Sequence, residues 1–203
     1  LMDEYFDTVM MQIEMIGAET GNIRKIAAMA TDAVLGGGKV WCYSRYSDSL
    51  SVEASTRRSG LSLTQGTHDG DTNFKGSPKD LVIMGFYKPD DPVDLKHFDD
   101  FRRLGMKIAS IGPLTRDIAI PQGRTIPKES DVHVGRMTDT YGLFALPGFE
   151  GKVCPTSGVI INQIFWAICL TIVEEMVKRT GGNVPGVFFS AAIKGGTEHM
   201  IRM

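Results

Sequence analysis

The sequence is short of cysteine, and the little it has is not arranged for chemistry. Cys42, Cys154 and Cys169 are odd in number and contain no CxxC pair, which argues against a disulfide framework and against a thiolate zinc site. They read as small buried hydrophobes in a reducing compartment, so a cytoplasmic location is expected. An excess of charge is missing too. A formal net charge of −2 gives no electrostatic ground for nucleic acid or an anionic membrane as partner. No uninterrupted apolar run reaches the roughly 18 residues that span a bilayer, and the acidic, amphipathic start does not have the make-up of a signal peptide. Internal repeats and low-complexity linkers are also absent. What is present, 203 residues with 42% hydrophobic and 23% charged, suits one globular domain over 1–203 with a sizeable core.

The pattern along the chain is that of an α/β protein. Met2, Phe6, Val9, Met10, Ile13 and Ile16 recur at helical spacing, and Gly21 and Asn22 break the run. This leading helix, within residues 1–22, has no strand before it. It packs either on another subunit or as a core helix of its own domain. A second helix is expected over Ile23–Leu35, ended by Gly36, Gly37 and Gly38. Lys39–Tyr43 read as a strand, Ser44–Ser49 as a hydroxyl-rich turn, and Ser47 or Asp48 as the cap of a helix running towards Leu61. A short strand is expected over Leu61–Thr64 and a polar loop from Gly66 to Asp80. His68, Asp69 and Asp71 lie close together in that loop. An isolated HDGD run is not a ligand pattern of known geometry, so it reads as a solvated turn, and neither metal nor cofactor is expected.

Asp80–Phe86, DLVIMGF, is the near-continuous apolar run of a strand buried on both faces. A helix over Val93–Leu104 and a strand over Met106–Ile111 follow. Gly112–Lys128 is irregular, Asp131–Val134 reads as another strand, and Asp139–Lys152 as a loop. Pro155, Thr156 and Ser157 open a long helix to about Arg179, apolar on several sides. Strand alternating with helix predicts a doubly wound, mostly parallel sheet of five strands flanked by helices. In such sheets ligands bind where strands end and helices begin, and helix N-termini favour anions there. That places a small-molecule pocket at the Ser44–Ser49 turn.

Three stretches in this order resemble the sugar isomerase (SIS) family, closest to a stand-alone bacterial subfamily and more distantly to phosphoheptose isomerase. Tyr46, Ser47, Leu50, Glu53, Arg57, Gly60 and Leu61 fall in register with the turn GHS-x-x-L-x-x-E-x-x-x-R-x-G-G-L. DTYGLFALPGFEGKVCPTSGVIINQI resembles the family's glycine-containing loop leading to P-T-S and the long helix, and VPGVFFSAAIKGG resembles its closing segment. The resemblance implies a phosphosugar pocket and a homodimer or homotetramer. It also implies a catalytic base, carried over onto Glu53, four residues before Arg57. A base is what aldose–ketose isomerisation needs; a plain intrahelical ion pair of Glu53 with Arg57 would look the same in sequence. The family's helix histidine has no counterpart between Pro155 and Arg179, and His199 is the available substitute.

The departures are equally specific. Tyr43 and Arg45 stand at glycines of the first turn. Gly85, Phe86, Tyr87, Lys88, Pro89 and Asp90 replace a second phosphate turn of the form S-x-S-G-x-N. Asp48 adds a carboxylate where an anion would sit, whereas Arg45 and Lys88 could offset ligand charge. Candidate ligand contacts are therefore Ser44, Arg45, Ser47, Asp48, Tyr87, Lys88, Thr156 and Ser157, the hydroxyls among them serving equally well as helix caps. The candidate function is a sugar or sugar-phosphate isomerase. The alternatives are a non-catalytic phosphosugar sensor and an SIS-type sugar ether lyase.

Overall fold

The computed structural model describes residues 1–45, 49–56, 60–113, 123–136, 142–182, 187–188 and 194–195. Its chain opens with α1 (Met2–Ile16), a 3-10 turn (Gly17–Glu19) and α2 (Thr20–Leu35). The break between the two helices comes at Gly17 rather than at Gly21, because the Thr20 hydroxyl donates to the Gly17 carbonyl at 2.7 Å and starts the second helix earlier. Then follow β1 (Val40–Tyr43), α3 (Ser49–Thr56), β2 (Gly60–Leu61), β3 (Thr64–Thr67), β4 (Leu81–Gly85), α4 (Pro92–Arg103) and β5 (Lys107–Pro113). After these come α5 (Ile126–Glu129), β6 (Val132–Arg136), the hairpin of β7 (Phe144–Ala145) and β8 (Lys152–Val153), α6 (Ser157–Thr180) and β9 (Val187–Phe188).

The main sheet has five strands in the order β3-β1-β4-β5-β6, all pairs parallel. Both faces are covered, as an all-parallel sheet requires. Side chains alternate along β1 and β4 accordingly. Val40, Cys42, Leu81 and Ile83 join Ile26, Ile160, Ile164, Ile168 and Ile172 in the core under α2 and α6. Trp41, Tyr43, Val82, Met84 and Phe86 join Phe98, Phe101 and Ile108 under α4. α6 is long and apolar enough to cross a membrane by length and composition. Ile160, Ile164, Ile168 and Met176 are nevertheless buried within the protein, and the core helix of a soluble domain passes the same test.

Two short elements differ from the sequence reading. The edge strand is Thr64–Thr67, TQGT, within the stretch read partly as loop. Leu61 belongs instead to β2, which pairs antiparallel with β9. An edge strand needs polar residues to blunt its open side, and polar residues are what made it read as a loop.

The N-terminal ends of β1 and β4 are tied by one buried carboxylate. Asp80 accepts from the Lys39 N–H at 2.8 Å, the Ser77 N–H at 2.9 Å and the Trp41 indole at 3.2 Å. Next to it, a Cβ on Gly38 would lie 2.2 Å from the Lys79 carbonyl oxygen, so only glycine lets the two strands begin this close. Asp80→Ala would leave these donors without an acceptor. It should lower unfolding free energy in urea by at least about 3 kcal/mol, whereas a change below about 1 kcal/mol would show that water replaces the carboxylate.

Candidate functional site

Chain direction reverses between β1 and β4. From β1 the chain passes through α3 to β3 on one side, and then returns to β4 on the other. At such a switch α/β sheets bind ligands in a crevice beyond the carboxyl edge, here the region between the Ser44 turn and the Phe86–Asp91 turn. Over this edge two helix starts converge. A Cβ on Gly85 would stand 3.1 Å from both Leu50 of α3 and Ile161 of α6. α3 and α6 therefore begin side by side above β4.

On this face the site is built from hydroxyls and one carboxylate. The buried Ser44 donates its hydroxyl to Ser51 Oγ at 2.8 Å, and the Ser51 N–H returns a bond to Ser44 Oγ at 3.3 Å. Ser44 thus serves one of the otherwise unpaired amide groups at the start of α3. Thr156, the N-cap residue of α6, and Ser157 are both buried. One turn into α3, the side chain of Glu53 is buried at 8% exposure and accepts a 2.9 Å hydrogen bond from the Trp166 indole. The partner expected from sequence, Arg57, lies outside the described residues, as do Ser47, Asp48 and His199. Cys169 lies close enough to feel the Glu53 charge: burial first and that charge second push its thiol up to about 12. Burial also raises the Cys42 thiol. Both stay protonated near neutral pH, which removes them as nucleophiles. Cys154, two residues before Thr156, is exposed and holds a positive φ of 58°.

On the other face the crevice is lined by charge. Asp91 is the N-cap of α4 and accepts from the Val93 and Asp94 N–H groups at 2.9 and 3.4 Å. Arg45 reaches across from the end of β1, pairing through Nη2 with Asp91 and through Nε with Asp94 at 3.2 Å. Burial pushes the Asp91 carboxyl up, but Arg45 and the two N–H groups outweigh it, and the group sits below the usual carboxylate range. Asp94 is more deeply enclosed; burial raises it, and Arg45 only partly offsets that. Tyr43 lies beneath, its ring 5.1 Å from that of His97. Burial and then the Asp94 and Asp69 charges push its phenol well above the ordinary range. Phe86 fills the next position, its ring where a Cβ on Gly112 would sit and stacked on His133. Tyr87 is half-buried and Lys88 exposed at the same turn. The HDGD loop is tied internally: Thr67 donates to Asp71 at 3.1 Å, and Asp69 lies 3.0 Å from His97 Nε2. No group of three or more potential metal ligands occurs among the described residues.

Among the candidates, the structure sets Ser44 against Ser51 of α3 and Glu53 against Trp166 of α6, places Thr156 and Ser157 at the start of α6, and directs Arg45 to the start of α4. Sequence reasoning missed Trp166 as the partner of Glu53, since it sits amid an apolar helix with no spacing signal. Asp91 was legible in principle, because Asp-Pro ahead of an amphipathic run is a helix-start signature.

Solved structures match this architecture, three of them as follows. One is a hypothetical protein at 8% identity and TM-score 0.55, covering 90% of this chain and 91% of that one. Another is E. coli CFT073 c3406 in complex with arabinose-5-phosphate, at 14% identity, TM-score 0.56 and coverage of 86% and 90%. The third is the sugar isomerase domain of an RpiR transcription factor from Sphaerobacter thermophilus, at 11%, TM-score 0.55 and 88% and 93%. The chain has the SIS fold. At these identities the likeness is one of fold. No family model and no curated protein matches the sequence.

Within this SIS fold the two carboxylates on Arg45 carry opposite pH signatures. The lowered Asp91 contributes stability above its unfolded value, near pH 3.9, and that contribution is lost as pH falls through the lower folded value. The raised Asp94 costs stability once ionised, above its folded value. At pH 7, Asp91→Asn should therefore lower the melting temperature and Asp94→Asn should keep or raise it. Thermal melts at pH 7 and at pH 3 check this: the gap between the variants should narrow in acid, and equal melting at pH 7 would show the two carboxylates to be equivalent.

Proposed function

We propose that the whole chain, residues 1–203, acts as an SIS-type sugar-binding unit that takes a sugar or sugar phosphate at the carboxyl edge of the sheet. We assign Glu53 as the base of an aldose–ketose isomerisation. The observation carrying this is a buried carboxylate at the seam of α3 and α6, held by the Trp166 indole. The neighbour solved with arabinose-5-phosphate supports a sugar ligand. In the reaction, Glu53 takes the proton from the carbon next to the open-chain carbonyl, leaving an enediolate. It then returns the proton to the neighbouring carbon while the hydroxyl proton moves between the two oxygens. A water-poor setting favours a base of this kind.

A second reading, a ligand sensor without chemistry, draws support from Trp166 itself. An indole N–H donates a hydrogen bond but neither gives up nor accepts a proton near neutral pH. Glu53 thus has a positioning group among its partners. The RpiR neighbour, a transcription factor with a sugar isomerase domain, is in keeping with such a role. Glu53→Gln separates the readings. If Glu53 is the base, turnover should fall by about 10²-fold or more with little change in ligand affinity. Proton exchange with solvent deuterium at the substrate carbon, followed by NMR, should stop. Exchange at the wild-type rate in Glu53→Gln removes the residue from the mechanism, and ligand binding by the wild type without any exchange favours the sensor.

Assembly as a homodimer or homotetramer belongs to the same proposal. Met2, Phe6 and Met10 leave an apolar stripe of α1 at 70%, 59% and 55% exposure, while Val9 and Gln12 on its other side are buried. A second copy would cover that stripe. A cytoplasmic location suits three unpaired thiols. Light scattering should give a multiple of the chain mass, and Phe6→Glu with Met10→Glu should reduce it to one chain. A wild-type monomer at high concentration would rule the assembly out.

A further inference from the structure

The Phe86–Asp91 turn stands where an anion bound at the switch point would meet the start of α4, because strand ends and helix N-termini supply the amide donors that hold phosphates. Several donors that would serve an anion at this helix start are absent or engaged. Pro89 and Pro92 have no N–H. The Val93 and Asp94 N–H groups are already bonded to the Asp91 carboxylate. Arg45 is taken as well: it lies between Asp91 and Asp94, with only 18% of its side chain exposed. Two carboxylates thus hold one guanidinium here, with Asp69 across from them on His97 and the exposed Lys88 on the turn itself. A phosphate dianion entering here would displace an internal carboxylate and then face two like charges in a partly desolvated place, which is strongly unfavourable.

The same groups suit a neutral ligand. Asp91 and Asp94 can accept from sugar hydroxyls. Beneath them the Tyr43 hydroxyl is buried, with the residue at 1% exposure, and no group among the described residues hydrogen-bonds to it. Phe86, stacked on His133, gives an apolar floor to the turn. Such a mixture of an apolar surface and a few convergent polar groups is how uncharged polar molecules are held.

We infer that Arg45, Asp91 and Asp94 form a built-in anion that closes the phosphate seat at the start of α4, so that the ligand of this site is an unphosphorylated sugar rather than its phosphate ester. The inference rests on the sugar-binding reading above and narrows it to one ligand class.

Thermal shift and titration calorimetry with matched pairs test it: arabinose against arabinose 5-phosphate, and fructose against fructose 6-phosphate, with inorganic phosphate as a third probe. The free sugar should stabilise the wild type and bind at least tenfold more tightly than its ester, and inorganic phosphate should have no effect. The double variant Asp91→Asn/Asp94→Asn keeps an N-cap side chain and removes both carboxylate charges from Arg45. It should gain binding of inorganic phosphate, and the preference for the free sugar should fall or reverse. Tighter binding of the ester by the wild type overturns the inference and leaves the sugar reading standing. A double variant that folds as the wild type does but gains no phosphate binding overturns the role of the three residues. No response of the wild type to either member of any pair overturns the sugar reading and the ligand class with it.

Discussion

The alignment of β1 with β4 rests on the Asp80 carboxylate. These two strands flank the point where chain direction reverses, so their register decides which side chains meet at the far end of the sheet. Asp80 fixes it from below by holding Lys39, Trp41 and Ser77 together. Val40 then pairs with Leu81 and Tyr43 with Met84. A slip of one residue would turn Tyr43 from the α4 face to the α6 face and take Cys42 out of its core. A buried charge is costly unless its hydrogen bonds are made, and three amide or indole donors make them here. The position of Arg45 relative to Asp91 is therefore a downstream result of contacts at the opposite edge.

Most of the sheet was legible in the sequence because burial on both faces leaves a strong mark. DLVIMGF could be little else than a central strand, and the glycines after Leu35 closed α2 where expected. TQGT was harder to read, since an edge strand has only one neighbour and needs polarity on its open side. The serine and threonine residues at helix starts were legible for the same reason that caps are. The link between Glu53 and Trp166 was not. It joins residues 113 positions apart, and an indole in an apolar helix carries no sign of which carboxylate it will meet. Arg45 shows a related limit. A sequence displays its charge but not the two carboxylates that engage it.

The two faces of the crevice solve the problem of buried polarity differently. Towards α6, the Glu53 carboxylate is held by an aromatic donor, and Ser44 and Ser51 bond each other near the start of α3. Towards α4, charge is balanced by charge, and the helix N-terminus is served from within the chain. The first arrangement keeps a carboxylate oriented. The second occupies the helix N-terminus and a guanidinium from within the chain.

Cys154 has a practical consequence of another kind. It is exposed two residues ahead of Thr156, while Cys42 and Cys169 are enclosed and held as thiols. A maleimide dye or nitroxide label should therefore attach at one position without any cysteine having to be removed. Its backbone sits at φ 58°, which ties the label's direction to the geometry of the α6 entry. The unaltered protein thus carries a natural attachment point from which distance measurements could follow how the beginning of that helix moves.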